Sequence, residues 1–121
     1  LWHTLSLHDA LPISPSSQTI INSLSGGNQQ KVVIAKWLLT NPKVLIMNDP
    51  TRGIDVGAKV EIYTVMEELC KQGISIIMVS AELPEVMGIT DRILVFTDGI
   101  IAGEFERSGY DQNEILHLAV K

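Results

Sequence analysis

The amino-acid sequence predicts an α/β domain: a parallel sheet covered by helices, closed by an antiparallel hairpin. Three observations predict it. Val44-Leu45-Ile46-Met47 and Ile74–Val79 are short, nearly continuous apolar runs, the pattern of strands buried on both faces of a parallel sheet. Before and between them, apolar residues recur at helical spacing. Towards the end, Ile93–Phe96 and Ile100–Phe105 flank Thr97-Asp98-Gly99, a strong hairpin signal. The resulting order, strand, helix, strand, helix, strand, is that of a helix-covered parallel sheet.

Composition narrows the class. With 121 residues, 45% of them hydrophobic, the chain can bury a single core and no more. Nine Lys and Arg against fourteen Asp and Glu give a net charge of −5 and leave no basic face, which disfavours nucleic acid as a main partner. The single cysteine, Cys70, excludes a disulfide framework and a cysteine-type zinc site, and suits a reducing compartment. Apolar runs reach about six residues, against the ~20 that a membrane helix needs, so a soluble, cytosolic chain is expected.

Element by element, Leu1–Ser14 is set aside as a non-native tail. It has no cationic start, no apolar core of signal-peptide length and no periodicity. Thr4–Ser14 reads as the translation of a common sequencing-library adapter, so the domain is expected to occupy residues 15–121. Pro15–Leu24 is polar and irregular, a loop. Ser25-Gly26-Gly27 opens a helix with Val33, Ile34, Trp37 and Leu38 on one face, and Asn41-Pro42 ends it. Pro50–Gly57 is rich in turn formers. Lys59–Lys71 is helical, with Ile62, Tyr63, Met66, Leu69 and Cys70 turned inward and Gly73 as the C-terminal cap. Glu82-Leu83-Pro84-Glu85 starts a short helix, because proline is tolerated in a first turn and carboxylates favour the positive end of a helix. Asp111-x-x-Glu114 is a capping box for a last helix reaching about Val120.

Three segments carry chemistry. In Leu24-Ser25-Gly26-Gly27-Asn28-Gln29-Gln30-Lys31, two glycines let backbone approach an anion, Ser25 can cap and donate, and the helix aims free N–H groups at the same point. Such a nest suits a terminal phosphate. Taken alone, Ser-Gly-Gly is also an ordinary flexible turn. In Val44–Asp49 an apolar strand ends in Asn48-Asp49, which places both side chains at the carboxyl edge of the sheet, where α/β proteins bind ligands. One can hold the water shell of Mg²⁺ and the next can orient an attacking water; a polar strand end before a proline turn reads the same way. Thr51-Arg52-Gly53-Ile54-Asp55-Val56-Gly57-Ala58-Lys59 is a glycine-punctuated loop entering a helix, which by itself is a loop with an Asp cap.

Together and in this order, the three resemble the C-terminal half of an ATP-binding cassette (ABC) ATPase, a P-loop NTPase-like fold that is incomplete here. Leu24–Gln30 resembles the signature motif, Val44–Asp49 the Walker B strand and Gly53-Ile54-Asp55 the D-loop, while Ser80-Ala81-Glu82 falls where the switch loop lies. The combination LSGGNQQK, PTRGIDVGAK, SAELPE and ITDRILV is similar to the second cassette of bacterial sugar-import ATPases of the ribose, xylose and galactose kind. The resemblance implies ATP and Mg²⁺ as cofactors and an ATPase coupled to sugar transport. The implied partners are the first cassette of the same full-length chain, membrane permease subunits and a periplasmic or extracellular sugar-binding protein. The implied location is peripheral, on the cytoplasmic face of the bacterial inner membrane.

It also implies roles. Ser25, Gly26 and Gly27 would touch the γ-phosphate of a nucleotide held by the partner cassette, with Asn28 and Gln29 of the signature and Asp55 of the D-loop as further nucleotide-binding residues. Asn48 and Asp49 would face this cassette's own nucleotide, Asn48 at the metal position and Asp49 at that of the catalytic base. The departures matter. No Gly-Lys dipeptide occurs, so the P-loop is absent, and the Q-loop with it. Most family members have Asp then Glu at the strand end. Asn48 brings no charge to Mg²⁺, Asp49 is one methylene short, and Ala81 stands where a histidine usually senses the γ-phosphate. The expectation is a weak or silent hydrolytic site here and no activity for the fragment alone. Other readings are a non-catalytic regulatory cassette, a DNA-maintenance ABC ATPase, and an orphan reading frame.

The remaining residues are read plainly. Trp37 and Met66 are expected to fill the core and Cys70 to be a small buried hydrophobe. Asp91-Arg92 is expected to form a local salt bridge, Arg52 to be an exposed loop arginine or a partner contact, and His117 to have a surface or packing role.

Overall fold

The computed structural model describes residue 16 and residues 18–120, so the tail assigned to Leu1–Ser14 lies outside the described residues. The chain divides between Val79 and Ser80 into two compact units.

In the first unit a 3₁₀ turn, Ile21–Ser23, leads into helix α1, Gly26–Leu38. Strand β1, Val44–Asn48, is followed by helix α2, Val56–Lys71, and strand β2, Ser75–Val79. The two strands pair in parallel, Val44 opposite Ser75 through Asn48 opposite Val79, which makes β1–α2–β2 one crossover unit. Helix α2 packs against both α1 and β2. The buried hydrophobic side chains that form its core are Ile34 of α1, Leu45 and Met47 of β1, and Ile62, Val65, Met66 and Leu69 of α2. Truncating Leu69 to alanine costs about 2–5 kcal/mol by the lost transfer energy and the cavity left behind. Helix α2 ends as Gly73 foretold. Gly73 has φ +88°, its N–H donates to the Cys70 carbonyl at 2.9 Å and the Ile74 N–H to the Leu69 carbonyl at 3.1 Å, the paired bonds of a Schellman cap.

The second unit opens with helix α3, Leu83–Ile89, with Pro84 in its first turn. The Ser80 hydroxyl donates to Glu85 Oε2 at 2.8 Å and accepts from the Glu82 N–H at 3.1 Å, which braces the approach to this helix. Strands β3, Arg92–Thr97, and β4, Ile100–Glu106, form the antiparallel hairpin. Asp98 and Gly99 both have positive φ, +52° and +80°, as a two-residue type I′ turn requires. A bulge interrupts the register after Val95. Helix α4, Gln112–Ala119, is capped by Asp111, whose Oδ1 accepts from the Asn113 and Glu114 N–H groups at 2.8 and 3.1 Å. It packs on β3 and β4 around Ile93, Val95 and Ile115. The approach is close: a methyl on Gly103 would meet Leu118 Cδ1 at 2.5 Å.

The expected parallel sheet and terminal antiparallel hairpin are both present, each of two strands. Several other expectations need correction. Strands β1 and β2 are covered on one face only: Val44, Ile46, Ile77 and Val79 are exposed, Ile46 at 70%. Trp37 is half exposed and outside the core, with the Lys36 ammonium 5.6 Å from its ring centre. Cys70 is exposed, not buried. Asp91 and Arg92 pair elsewhere, Arg92 with Glu104 at 3.0 Å and Asp91 with Arg107 at 3.7 Å. Met66 is buried and His117 exposed, as expected. Among the described residues no helix is long and apolar enough to cross a membrane.

Candidate functional site

The turn that begins α1 is organised by its own side chains. Ser25 lies in extended backbone, and its Oγ accepts from the Asn28 N–H at 3.4 Å while its carbonyl accepts from the Gln29 N–H at 2.9 Å. The Gln29 side-chain amide donates to the Leu24 carbonyl at 2.9 Å, folding the preceding residue against the helix start. Gly26 and Gly27 follow the cap and contribute two of the N–H groups that a helix cannot bond internally. Their exposures differ, with Gly26 open to solvent and Gly27 buried.

What lies beneath Gly27 is the first turn of α2, entered through the loop Gly53–Asp55. A methyl on Gly27 would sit 2.5 Å from Ala58 Cβ, and one on Gly26 3.1 Å from Ile54 Cγ2. The two glycines are therefore required by packing, in addition to any anion they could approach. Asp55 fixes the loop from its own side. Its Oδ1 accepts from the Ala58 N–H at 3.0 Å, capping α2, and its carbonyl accepts from the Lys59 N–H at 2.9 Å. A turn further along, the Lys31 ammonium lies 2.7 Å from Glu61 Oε2. Lys31 is only 8% exposed, and a buried lysine needs such a partner. The first and third sequence segments are thus one structure; Glu61 is a member that sequence reasoning missed, and it gave Lys31 and Ala58, though inside the segments, no role of their own. The signal was there: Gly27, Lys31 and Ile34 share one face of α1 at helical spacing, and all three are buried.

The second segment is held differently. Asp49 follows β1 with φ +44°, a left-handed conformation that Asp tolerates better than most residues, and its N–H donates to the Val79 carbonyl at 2.8 Å. The carboxylate is one-third exposed, with the Arg52 guanidinium at 4.0 Å, the far limit of an ion pair. Asn48 is exposed and lines a shallow groove with Gln30, Val33 and Trp37 of α1. Pro50 and Thr51 are fully buried beneath this turn. Ala81 is exposed and belongs to the second unit. Among the described residues no three His, Cys, Asp or Glu side chains converge as a metal cage. One carboxylate and one amide suit a cation that arrives with phosphate ligands of its own, as Mg²⁺ commonly does.

A family model described as "ABC transporter" matches residues 2–52. The chain is 56% identical over 108 residues to the galactose/methyl galactoside import ATP-binding protein of Haemophilus influenzae, covering 89% of this chain and 21% of that protein. It is likewise 56% identical over 106 residues to the xylose import ATP-binding protein of Geobacillus kaustophilus, covering 88% of this chain. The chain spans about a fifth of the length of these curated relatives, 21% in each case. Among solved structures, a dimeric ATP-binding cassette in a post-hydrolysis state with ADP and phosphate superposes with a TM-score of 0.74 at 26% identity. That match covers 88% of this chain and 46% of that one. A second dimeric structure of a bacterial ABC transporter cassette gives a TM-score of 0.73 at 27% identity, over 89% of this chain and 47% of that one. The fold is therefore that of ATP-binding cassettes, over less than half of a cassette's length.

Proposed function

We propose that the chain is the C-terminal half of the second cassette of a bacterial sugar-import ATPase, and that it lends its Ser25–Gln29 turn to ATP held by the first cassette. The observation that carries this reading is the Ser25-capped start of α1, with Gly26 exposed and the turn held rigidly from beneath by Gly53–Ala58. Backbone N–H groups at a helix start, together with a hydroxyl, are complementary to the charge on a terminal phosphate. Being fixed in advance, they need no reorganisation when that charge develops during hydrolysis. The similarity to galactose and xylose import ATP-binding proteins supplies the substrate class.

This chain's own strand end is assigned the lesser role. Bound Mg²⁺ would screen the phosphate charge, with Asn48 contacting its water shell and Asp49 orienting the attacking water. Asn48 adds no charge, and the shorter Asp49 reaches less far than a glutamate; a 1 Å misplacement can cost about 100-fold in rate. Ala81 can neither donate nor accept. The partner permease and sugar-binding protein, and a peripheral position on the cytoplasmic face of the membrane, belong to the same proposal. So does the inactivity of the fragment alone, and the reading of residues 1–14 as foreign to the domain.

The test is ATP turnover of the full-length protein. Replacing Ser25 with Arg is expected to lower kcat at least 100-fold, whereas Asp49→Asn is expected to change it less than about threefold. Unchanged turnover in Ser25→Arg overturns the assignment of the turn. Collapse in Asp49→Asn overturns the silent site. A purely regulatory cassette, which Asn48 and Ala81 favour, predicts that neither variant alters turnover and both alter its response to sugar-loaded binding protein.

A further inference from the structure

We propose that Ala58, Lys31 and Glu61 are positioning residues, which clasp the phosphate-facing turn of α1 to the loop Gly53–Asp55 and the first turns of α2 so that the two move as one body. The inference rests on the proposed role of the turn and adds what holds it in place. The clasp has two contacts on successive turns of both helices. At the first, buried Gly27 of α1 lies so close to Ala58 of α2 that a Cβ at position 27 would stand 2.5 Å from that of Ala58 and 3.7 Å from its Cα. At the second, four residues along α1 and three along α2, Lys31 Nζ meets Glu61 Oε2 at 2.7 Å. The Lys31 side chain is 10% exposed and that of Glu61 57% exposed, so the lysine is the buried member and the carboxylate reaches in from the surface to neutralise it. Beside the first contact, Gly26 leaves room for Ile54, and Asp55 caps the helix that carries both Ala58 and Glu61.

The steric contact sets the size of the effect. Carbon atoms pack at about 3.5–4.0 Å, so a methyl on Gly27 drives the two elements apart by at least about 1 Å. Displacements of that size cost about 100-fold when they fall on a positioned catalytic group. The space can be restored from the other side, because Ala58→Gly removes the atom that is struck. A glycine needed solely so that backbone can approach a phosphate has no such compensation: the added methyl stays in the ligand's path whatever occupies position 58.

The experiment measures ATP turnover and thermal midpoint of the full-length protein for Gly27→Ala, Gly27→Ala/Ala58→Gly, Lys31→Glu and Lys31→Glu/Glu61→Lys. Gly27→Ala is expected to lower kcat about 100-fold with KM for ATP within about threefold, and the double variant to recover to within about tenfold of the parent. Lys31→Glu, which sets two carboxylates against each other, is expected to lose turnover that the charge exchange restores in part. The clasp is overturned if neither double variant exceeds its single, or if Gly27→Ala is neutral. Rescue of thermal midpoint without rescue of kcat overturns the positioning role and leaves a structural one. The charge-exchange arm decides if Gly27→Ala does not fold. A neutral Ser25→Arg defeats the phosphate reading alone, because the rescue of thermal midpoint still tests the clasp.

Discussion

The start of α1 and the end of β1 are both sites that the sequence nominates for phosphate chemistry, and they are built to different standards. The helix start is fixed by a serine cap, by the Gln29 amide on the Leu24 carbonyl, by glycine packing on Ala58 and by the ion pair of buried Lys31 with Glu61. The strand end has two backbone bonds at Asp49, its N–H to the Val79 carbonyl and the Arg52 N–H to its own carbonyl, with a left-handed φ and a guanidinium at 4.0 Å from its carboxylate. A group that must be preorganised needs its orientation determined by several neighbours, and only the first region has them. The contrast teaches that rigidity and charge are distributed separately here: the turn is held firmly and carries no formal charge, and the carboxylate is charged and loosely held.

Three stability measurements on the full-length protein sharpen that contrast. The largest effect is expected from Glu61→Gln, which leaves the Lys31 ammonium buried beside a neutral amide. Because Glu61 is more than half exposed, water relieves part of the penalty, and a loss of about 1–2 kcal/mol is expected in denaturant unfolding. Next is Asp55→Ala, which removes the cap of α2 and is expected to cost about 1 kcal/mol, with Asp55→Ser recovering most of it. The smallest is Lys71→Met. Hydrogen bonds to Glu68 and then Glu67 hold the Lys71 ammonium above its ordinary value of 10.5, but the group is fully exposed. Whatever it contributes is present in full below that value, neutral pH included, and is lost as pH rises through the higher folded value, so the small loss in Lys71→Met is expected not to vary with pH near neutrality. A larger effect from Lys71→Met than from Glu61→Gln would erase the distinction between a surface cluster and a clasp.

Local chemistry made the element boundaries legible. Ser25 before two glycines, Gly73 after Lys71 and the Asp98-Gly99 pair each demand one backbone conformation, and each adopts it. Burial was legible only in part, because it depends on what lies across from a residue. An apolar run such as Val44–Met47 does not say how many of its faces are covered, and here one is. Trp37 and Cys70 are apolar at helical spacing yet lie on faces that no described element covers. The Asp91-Arg92 expectation failed because Arg92 begins β3 and reaches across the hairpin to Glu104, while Asp91 precedes the strand and meets Arg107. Of the site, the three segments and the cap residues Ser25 and Asp55 were readable. The union of the first and third segments was not, because the partner of Gly27 is thirty-one positions away and identifies itself only as a small residue.

The most direct measurement is a structure of the full-length protein closed on a non-hydrolysable ATP analogue. The expected result is Ser25 Oγ and the Gly26 N–H within about 2.7–3.1 Å of the terminal phosphate bound by the other cassette, over an unchanged Gly27–Ala58 contact. A closed structure in which that turn faces away from the phosphate, or separates from the start of α2 as the nucleotide binds, would contradict it.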